Sequence, residues 1–253
     1  MQIRYNTPMK VLNKRVGSSQ YILFLDLEGT QYTHEVISIG AILTKVGPNG
    51  TVTATKKGFH EYVIAQEKVS KFITELTGIT QENISKSGLT FAEALRRLKV
   101  YVGVPFSKIK VCTFGIGDIL MLQSSEKHQP SEEVITETVK LIKNLHIDFQ
   151  ALLNEYVKDD NGQGLSLANG LVKFNLRFEG AQHNALSDAI NLMELYNAFQ
   201  SSYEIVLYEY KKILERNKKL PRPVAKVLRY LNEGKEVTSQ MYSKFIEDEV
   251  RDK

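Results

Sequence analysis

The sequence contains no tryptophan and a single cysteine, Cys112, among its 253 residues. One cysteine cannot form an intramolecular disulfide, and no cluster of cysteine and histidine is present that would build a structural zinc site. Free thiols are typical of reducing compartments, so we expect a cytoplasmic protein. The N-terminal segment has no apolar signal core, and the sequence therefore does not predict secretion.

Long apolar runs are also missing. No stretch approaches the roughly eighteen residues that a transmembrane helix needs, so the sequence predicts no membrane partner. Hydrophobic residues make up 42% of the chain and charged residues 25%, both near the globular average. These values exclude an intrinsically disordered chain and indicate one that can bury a substantial core.

Positive charge is concentrated in one part of a chain whose formal net charge is only +4. Residues 208–229, the basic segment, contain eight lysines and arginines against two glutamates, a net charge of +6 that leaves the rest at −2. A basic helix most often presents a solvated face. The alternative is that the basic segment contacts the phosphates of a nucleic acid.

Extended segments come after a polar, basic lead-in. Residues 21–25 are apolar at every position, which predicts a strand that is buried on both faces in the centre of a sheet. Residues 35–44 predict a second strand, and the turn signal at 47–50 before the β-prone residues 51–55 predicts a hairpin. The sequence thus places much of a sheet in its first quarter.

Helices dominate the remainder of the chain. Residues 91–102 carry apolar side chains at helical spacing with Thr90 as N-cap, and residues 108–114 predict another short strand. Further helices are predicted at 118–126, 132–145, 148–158, 165–172, 187–218, 223–232 and 238–250. Strands interspersed with helices predict an α/β fold with a mixed sheet flanked by helices.

The pattern divides the chain into three parts. The prolines and basic residues of 216–223 interrupt the helical pattern, and the chain beyond them is too small to fold without docking. We expect a loose lead-in at 1–19, an α/β domain at 20–202 and a helical C-terminal extension at 203–253.

Acidic residues interrupt the apolar pattern at the end of the first strand. Asp26 and Glu28 come directly after the run that ends at Leu25, and alternate residues of a strand share a face. Both carboxylates should therefore project beside each other from the face of Ile22 and Phe24, where they repel unless a cation lies between them. The alternative is a strand end that emerges into solvent, where acids are common.

Two further acids lie close to predicted elements. Asp188 leads an apolar stripe on the helix over 188–199, which places it on the inward face, although an acid there would also suit the helix dipole. Asp118 comes after the strand at 108–114, where a simple N-cap is the alternative. His183 is expected in the loop that leads to Asp188, and a lone loop histidine is most often a surface residue.

These acids are expected to converge. Sites in open α/β sheets form beyond the carboxyl ends of the strands. Four carboxylates there are tolerated only with divalent metal, and hard oxygen ligands indicate Mg²⁺ or Mn²⁺ rather than zinc. Two such ions about 4 Å apart are a known arrangement for in-line displacement at a phosphodiester.

The order Asp26-x-Glu28, Asp118, His183-x-x-x-x-Asp188 resembles the DEDDh group of 3′–5′ exonucleases, which have a ribonuclease-H-like fold. The matching segments are 24–30, 35–43, 72–84 and 183–191, within about residues 20–200. The segments 165–168 and 174–180 are most similar to the Eri-type RNA exonucleases. The resemblance implies a ribonuclease-H-like domain with a helical C-terminal extension.

The resemblance also implies a catalytic role for each matching position. Asp26, Glu28 and Asp188 would ligate two Mg²⁺ or Mn²⁺ ions directly. Asp118 would hold the second ion. His183 would be the general base for the water that attacks the 3′-terminal phosphodiester, which releases nucleoside 5′-monophosphates.

Contacts with the 3′-terminal nucleotide are implied at six positions. They are Leu27, Gly29, Thr30, Leu76, Thr77 and Ile79. Leu76 has a second interpretation, as an ordinary core leucine.

The sequence therefore predicts a metal-dependent 3′–5′ exonuclease whose partner is single-stranded nucleic acid, with RNA favoured over DNA. A duplex end would have to fray before its terminal nucleotide reached buried metals. A DNA-trimming or proofreading exodeoxyribonuclease is the second interpretation. A binding module without catalysis is the third, and the presence of all five catalytic-type residues argues against it.

Overall fold

One mixed sheet forms the centre of the computed structural model, which describes residues 10–217 and 219–251. Its strands are β1 (Tyr21–Gly29), β2 (Val36–Val46), β3 (Val52–Ala54), β4 (Phe59–Tyr62), β5 (Ile109–Thr113) and β6 (His146–Asp148). Their order is β3-β2-β1-β5-β6, with β4 also paired to β2. β1 is antiparallel to β2 and parallel to β5, and β5 is parallel to β6. The predicted α/β class with a mixed sheet is confirmed.

Helices cover both faces of this sheet. They are α1 (Lys10–Val16), α2 (Lys71–Thr77), α3 (Gln81–Ser87), α4 (Phe91–Val102), α5 (Gly117–His128), α6 (Glu133–Leu145), α7 (Phe149–Tyr156), α8 (Leu167–Lys173), α9 (Ala185–Ser201), α10 (Tyr203–Glu215), α11 (Arg222–Asn232) and α12 (Ser239–Arg251). The predicted N-cap of α4 is confirmed, because the Thr90 hydroxyl accepts the backbone N–H of Glu93 at 3.2 Å.

The first strand is buried on both faces, as its unbroken apolar run predicts. Ile22 and Phe24 pack with the core of α9, whereas Leu23 and Leu25 pack with α4 and α6 on the other face. The strand is longer than that run and continues through the acids to Gly29, paired with β2 throughout. Its ladder therefore positions the two carboxylates.

Several short elements were not predicted from the sequence. β6 has three residues between two helices, and β4 has four, so neither is long enough to show a clear alternation. Both α2 and α3 have seven residues and few buried side chains, which leaves little helical periodicity to detect. The hairpin between β2 and β3 was predicted and is present.

The helix predicted at 187–218 is two helices. Ser202 separates α9 from α10 with φ −102° and ψ 60°, values outside the helical range. One non-helical residue ends a helix but barely disturbs the spacing of apolar residues, so periodicity could not reveal it. The end of that prediction, Lys218, lies outside the described residues.

The lead-in predicted as loose is partly ordered. Residues 1–9 lie outside the described part of the chain, but α1 forms immediately after them. Leu12 and Val16 on α1 are buried in the same core as Phe24. With only two apolar positions to bury, this helix offered too short a pattern to be distinguished from a polar tail.

The C-terminal helices have a much thinner core than the sheet. α10 packs against α7 through Tyr210 and Tyr156, whose ring centres are 5.4 Å apart. Beyond it, α11 and α12 pack on each other through Tyr230 and Phe245 at 5.4 Å. Pro223 is the one buried residue of α11, and Phe245 that of α12.

Among the described residues, no helix combines the length and apolarity that crossing a bilayer requires.

Candidate active site

A cavity of about 410 Å³ opens where β1 ends beside the N-termini of α5, α8 and α9. Its lining is Asp26, Leu27, Glu28, Phe114, Gly117, Asp118, Met121, Ser166, Leu167, Ala168, Phe178, Gln182, His183 and Asp188. We call it the catalytic cavity. The structure thus brings together all five residues that the sequence predicts for the catalytic constellation, although they span more than half of the chain.

Asp26 and Glu28 project from the same face of β1, as strand alternation predicts. They are not a solvated strand end, because Glu28 is only 9% exposed. Burial, and then the charges of Asp118 and Asp188, raise the pKa of Asp26 well above its usual value. Burial and the same two neighbours raise the pKa of Glu28 to about 8. Burial and like charges therefore both disfavour the ionised form of these two carboxyl groups.

Asp118 is not the N-cap of its helix. α5 begins at Gly117, so the cap position is Ile116, and Asp118 lies within the first turn. Its Oδ1 instead accepts the backbone N–H of Leu27 at 2.8 Å, which ties α5 to β1. Burial raises the pKa of Asp118 to about 7, although this hydrogen bond acts in the opposite direction. The N-cap alternative was wrong because the true partner is 91 residues away.

Asp188 lies in the first turn of α9, which the side chain of Asn184 caps by accepting the N–H of Ser187. The predicted inward stripe is confirmed, because Leu192 and Leu195 below it are fully buried. Burial raises the pKa of Asp188 to about 6, against the lowering effects of the nearby His183 charge and backbone N–H. Asp188 thus lines the catalytic cavity, and the helix dipole alone does not explain its position.

His183 lies in the loop before α9, as predicted, and its side chain is exposed. Its backbone is left-handed with φ 59°, which is uncommon for a residue other than glycine. Asn191 on α9 fixes this loop by accepting the N–H of Glu179 at 3.0 Å and donating to its C=O at 2.8 Å. Sequence reasoning did not single out this positioning residue.

The cavity has donors that suit a divalent metal ion. One ligand atom each from Glu28, His183 and Asp188 lies within 4.8 Å of the others. Asp26 and Asp118 interact electrostatically with this group, because Glu28 and Asp188 raise the pKa of Asp26, and Asp118 raises that of Glu28. Such uncompensated repulsion among buried carboxylates is relieved by a cation, and oxygen-rich donors fit a hard ion. The acidic cluster could therefore bind divalent metal.

The six positions implied for nucleotide contact are more scattered. Leu27 lines the catalytic cavity, whereas Gly29 closely approaches Met121: a Cβ there would lie 3.0 Å from its sulfur. The Thr30 hydroxyl accepts the N–H of Glu35 within the turn after β1. These three positions continue along β1 and its exit.

The other three positions lie at the end of α2. Leu76 is 41% exposed, so its interpretation as a core leucine was wrong. The Thr77 hydroxyl donates to the C=O of Ile73 at 2.8 Å. Ile79 is buried with Ile73 and Ile84 in a small apolar cluster. Their contact with a nucleotide stays a prediction.

The catalytic cavity also has an apolar wall that was not predicted from the sequence. Phe114, Met121, Leu167 and Phe178 form it. Phe178 lies in the segment 174–180, which carried part of the family resemblance, so a signal was present. Residue type alone could not distinguish these side chains from core, because exposed and buried aromatics look alike in sequence.

The chain matches the exonuclease family model, RNase_T, over residues 23–196. The chain belongs to the exonuclease family. The match covers most of the chain and includes all five acidic and histidine residues of the catalytic cavity. It confirms the DEDDh resemblance and the ribonuclease-H-like α/β fold expected from the sequence.

A curated relative supports the Eri-like character. ERI1 exoribonuclease 2 of Danio rerio is 25% identical over 199 residues, which cover 68% of this chain. The aligned part is only 33% of that relative, so the chain spans about a third of its length.

Solved structures share the fold at low sequence identity. The nuclease domain of 3′hExo, a DEDDh family member bound to rAMP, has a TM-score of 0.58 at 20% identity and covers 73% of this chain and 94% of its own. E. coli exonuclease I in complex with a dA16 oligonucleotide has a TM-score of 0.54 at 14% identity, with coverages of 83% and 45%. At these identities the likeness establishes the fold.

Proposed function

We propose that the protein is a metal-dependent 3′–5′ exonuclease that hydrolyses the terminal phosphodiester of single-stranded RNA. The observation that carries the proposal is the convergence of Asp26, Glu28, Asp118, His183 and Asp188 in one cavity. Buried carboxylates with raised pKa values are costly to a fold, and such residues cluster at functional sites. Family membership supports the same reaction.

Asp26, Glu28 and Asp188 would hold two Mg²⁺ or Mn²⁺ ions, with Asp118 supporting the second. When bound, the ions supply charge stabilisation to the phosphoryl oxygens and favour deprotonation of an attacking water. Asp118 has a further role of its own, because its bond to Leu27 holds β1 and α5 together at the cavity floor. Removing its acceptor oxygen would misplace both elements.

His183 would be the general base. Imidazole titrates near neutrality, which suits a group that accepts a proton from water and then releases it to solvent. Its exposed side chain is open to solvent exchange, and its nitrogen lies within 4.8 Å of a carboxylate oxygen of both Glu28 and Asp188. The Asn191 bonds to the backbone of Glu179 tie the loop that carries His183 to α9.

A single strand is the substrate that fits this cavity. The acids lie at its buried floor, and the terminal nucleotide must leave any duplex to reach them. The apolar wall of Phe114, Met121, Leu167 and Phe178 would pack against the terminal sugar and base.

RNA is favoured because the curated relative is named an exoribonuclease and the 3′hExo domain is bound to rAMP. A cytoplasmic location fits the free, buried thiol of Cys112.

The second candidate is the same chemistry on DNA. E. coli exonuclease I, which shares the fold, is solved with a deoxyoligonucleotide. Discrimination between the two sugars rests on contacts with one hydroxyl group. Relative rates on RNA and DNA of one sequence decide between these candidates.

The test uses 5′-labelled single-stranded RNA and DNA with Mn²⁺, Mg²⁺ or EDTA. We expect a metal-dependent ladder that shortens from the 3′ end, faster on RNA. Asp188→Asn should abolish it, whereas Glu194→Gln, an exposed acid on the same helix, should not. Full activity of Asp188→Asn would contradict the proposal, and so would degradation that persists in EDTA.

A further inference from the structure

A second cavity of about 410 Å³ lies between helix α10 and the loop after α7. Its lining is Lys158, Asp159, Gly162, Glu209, Lys212, Ile213, Arg216, Asn217 and Lys219. We call it the basic cavity, because four cations line it against two acids. It contains the part of the basic segment that the structure places against the exonuclease fold.

The two acids of the basic cavity are already engaged. Glu209 is 7% exposed and forms ion pairs with Lys212 at 3.2 Å and Lys173 at 3.6 Å. The Asp159 carboxylate accepts two backbone N–H groups of its own loop, at 2.9 and 2.6 Å. Neither acid forms an ion pair with the other three cations among the described residues, and four cations against two acids leave the lining a formal net charge of +2.

Three cations remain without a carboxylate partner among the described residues: Lys158, Arg216 and Lys219. Arg216 is held in place because its Nη1 donates to the C=O of Asp160 at 2.9 Å. That bond uses one nitrogen and leaves other guanidinium donors available. The cavity thus offers a fixed arginine and two ammonium groups on flexible side chains to an anion.

Helix α8 connects this cavity to the catalytic one. Ser166, Leu167 and Ala168 at its N-terminus line the catalytic cavity, and Lys173 at its other end pairs with Glu209 of the basic cavity. Seven residues of helix span about 10 Å. At roughly 3.4 Å per nucleotide of a stacked strand, that distance corresponds to about three nucleotides.

One cavity is acidic and the other basic, and this difference in charge suits two parts of one polyanionic strand. The lining of the catalytic cavity contains no lysine or arginine among the described residues, so it offers little to the phosphates that precede the scissile bond. Building on the proposed exonuclease function, we propose that the basic cavity binds the phosphate backbone of the substrate upstream of its 3′ end. The strand would run along α8 from one cavity to the other.

This assignment predicts affinity without base preference. Lysine ammonium groups bind phosphate as point charges, and phosphate contacts position a strand without reading its sequence. The basic cavity would therefore lower KM for any strand long enough to span α8, and it would give no help to a dinucleotide.

The test compares two double variants that each lose two positive charges. Lys158→Gln with Lys219→Gln alters the basic cavity and spares Arg216, which supports the loop. Lys140→Gln with Lys143→Gln is the matched control on α6, whose lysines are exposed and which packs on the other face of the sheet. Equal melting temperatures would show that both variants fold.

The readout is fluorescence anisotropy of a 5′-fluorescein RNA of roughly twelve nucleotides in EDTA at increasing salt. Two lost phosphate contacts should reduce the slope of log Kd against log salt by about 1.4 and raise Kd roughly tenfold near 0.1 M salt. The control should keep the wild-type slope. With Mn²⁺, the ratio of kcat/KM for the long RNA to that for a dinucleotide should fall in the cavity variant.

Equal slopes for the two double variants would overturn the proposal, as would a wild-type protein that does not bind the RNA. Failure of the exonuclease assignment would look different. A wild-type protein that binds RNA with the cavity-dependent slope but degrades nothing in Mn²⁺ would preserve the basic cavity and refute the enzyme.

Discussion

Two of the regions that bury carboxylates in this molecule, the catalytic cavity and the surroundings of Glu35, affect these groups in opposite ways. Glu28 and Asp118 in the catalytic cavity have pKa values raised to about 8 and about 7. Glu35, only 1% exposed and immediately before β2, has a pKa lowered from its usual value. The pKa of the same chemical group is therefore raised in one place and lowered in the other.

Hydrogen-bond donors account for the difference. Glu35 accepts the backbone N–H groups of Gln66 at 3.0 Å and Glu67 at 3.1 Å, together with the Thr33 hydroxyl and the Gln129 amide. These donors outweigh the effect of burial and favour the charged form. They also join three segments of the chain around one side chain, so Glu35 is a structural carboxylate.

The catalytic acids have other acids as neighbours where Glu35 has donors. Asp118 accepts one N–H from another element, that of Leu27, and His183 lowers the pKa of Asp188. The neighbours that shift the pKa of Asp26 and Glu28 are all like charges. The fold therefore leaves their charge to be balanced by something that binds. A buried acid surrounded by donors, such as Glu35, indicates a role in stability, whereas buried acids surrounded by other acids indicate function. Only the surroundings distinguish the two cases.

The largest effect should come from removing a catalytic charge. Asp26→Asn should lower kcat by roughly 10³-fold or more while leaving the melting temperature in EDTA unchanged or higher, because it relieves repulsion. Glu82→Gln, an exposed acid on α3, is the control for loss of one charge. Loss of activity that accompanies unfolding of Asp26→Asn would instead place Asp26 among the structural residues.

The opposite pattern is expected at Glu35. Glu35→Ala leaves several buried donors without an acceptor, which should cost about 3 kcal/mol of unfolding free energy. Urea denaturation measures this, and residual activity at low temperature should persist where the fold persists. A variant as stable as Glu82→Gln would show that these donors find water and that Glu35 is not a structural carboxylate.

The pH dependence of stability should have opposite signs in the two regions. The lowered pKa of Glu35 contributes stability above the ordinary value of 4.5, and this contribution is lost as pH falls below it. The raised pKa of Asp118 acts in reverse. Between about pH 3.8 and about pH 7, the Asp118 carboxyl keeps its proton in the native protein but has released it in the unfolded chain. The stability in EDTA therefore falls as pH rises through this range.

Asp118→Asn isolates that second effect, because an amide oxygen can still accept the Leu27 N–H. Its melting temperature in EDTA at pH 8 should exceed that of wild type by about 3 °C, which corresponds to ~1 kcal/mol for a chain of this size. The difference should vanish near pH 4. A variant that is less stable at both pH values would show that the charge is not repelled in the native state.

The smallest expected effect is proton release on metal binding. Glu28, with a pKa of about 8, carries its proton at pH 7 and must lose it to ligate an ion. Calorimetric titration with Mn²⁺ in two buffers of different ionisation enthalpy should therefore show protons released, and affinity should rise from pH 6 to pH 8. Identical heats in both buffers would contradict the raised pKa.

The catalytic residues could be predicted from the sequence because they interrupt regular patterns. Asp26 and Glu28 come after an apolar strand run, and Asp188 occupies an inward position on a helix. Local periodicity then places each side chain, and the rule that sites gather at strand ends brings them together. The family resemblance supplied their roles.

Long-range contacts could not be predicted in this way. The partner of Asp118 is Leu27 in another element, and the donors to Glu35 come from residues as distant as Gln129. No local pattern marks Glu35, which stands out in the sequence only as the first residue of a predicted strand. The basic cavity was missed for the same reason, because the loop containing Lys158 meets α10 only in the folded chain.

The central claim is tested most directly by the chemical identity of the first product. The protein is incubated with single-stranded RNA and Mn²⁺ in ¹⁸O-labelled water, and the released nucleotide is identified by mass spectrometry. We expect a nucleoside 5′-monophosphate from the 3′ terminus with one ¹⁸O in its phosphate, absent with EDTA or Asp188→Asn. Release of internal fragments, of 3′-phosphates or of unlabelled nucleotide would contradict the account.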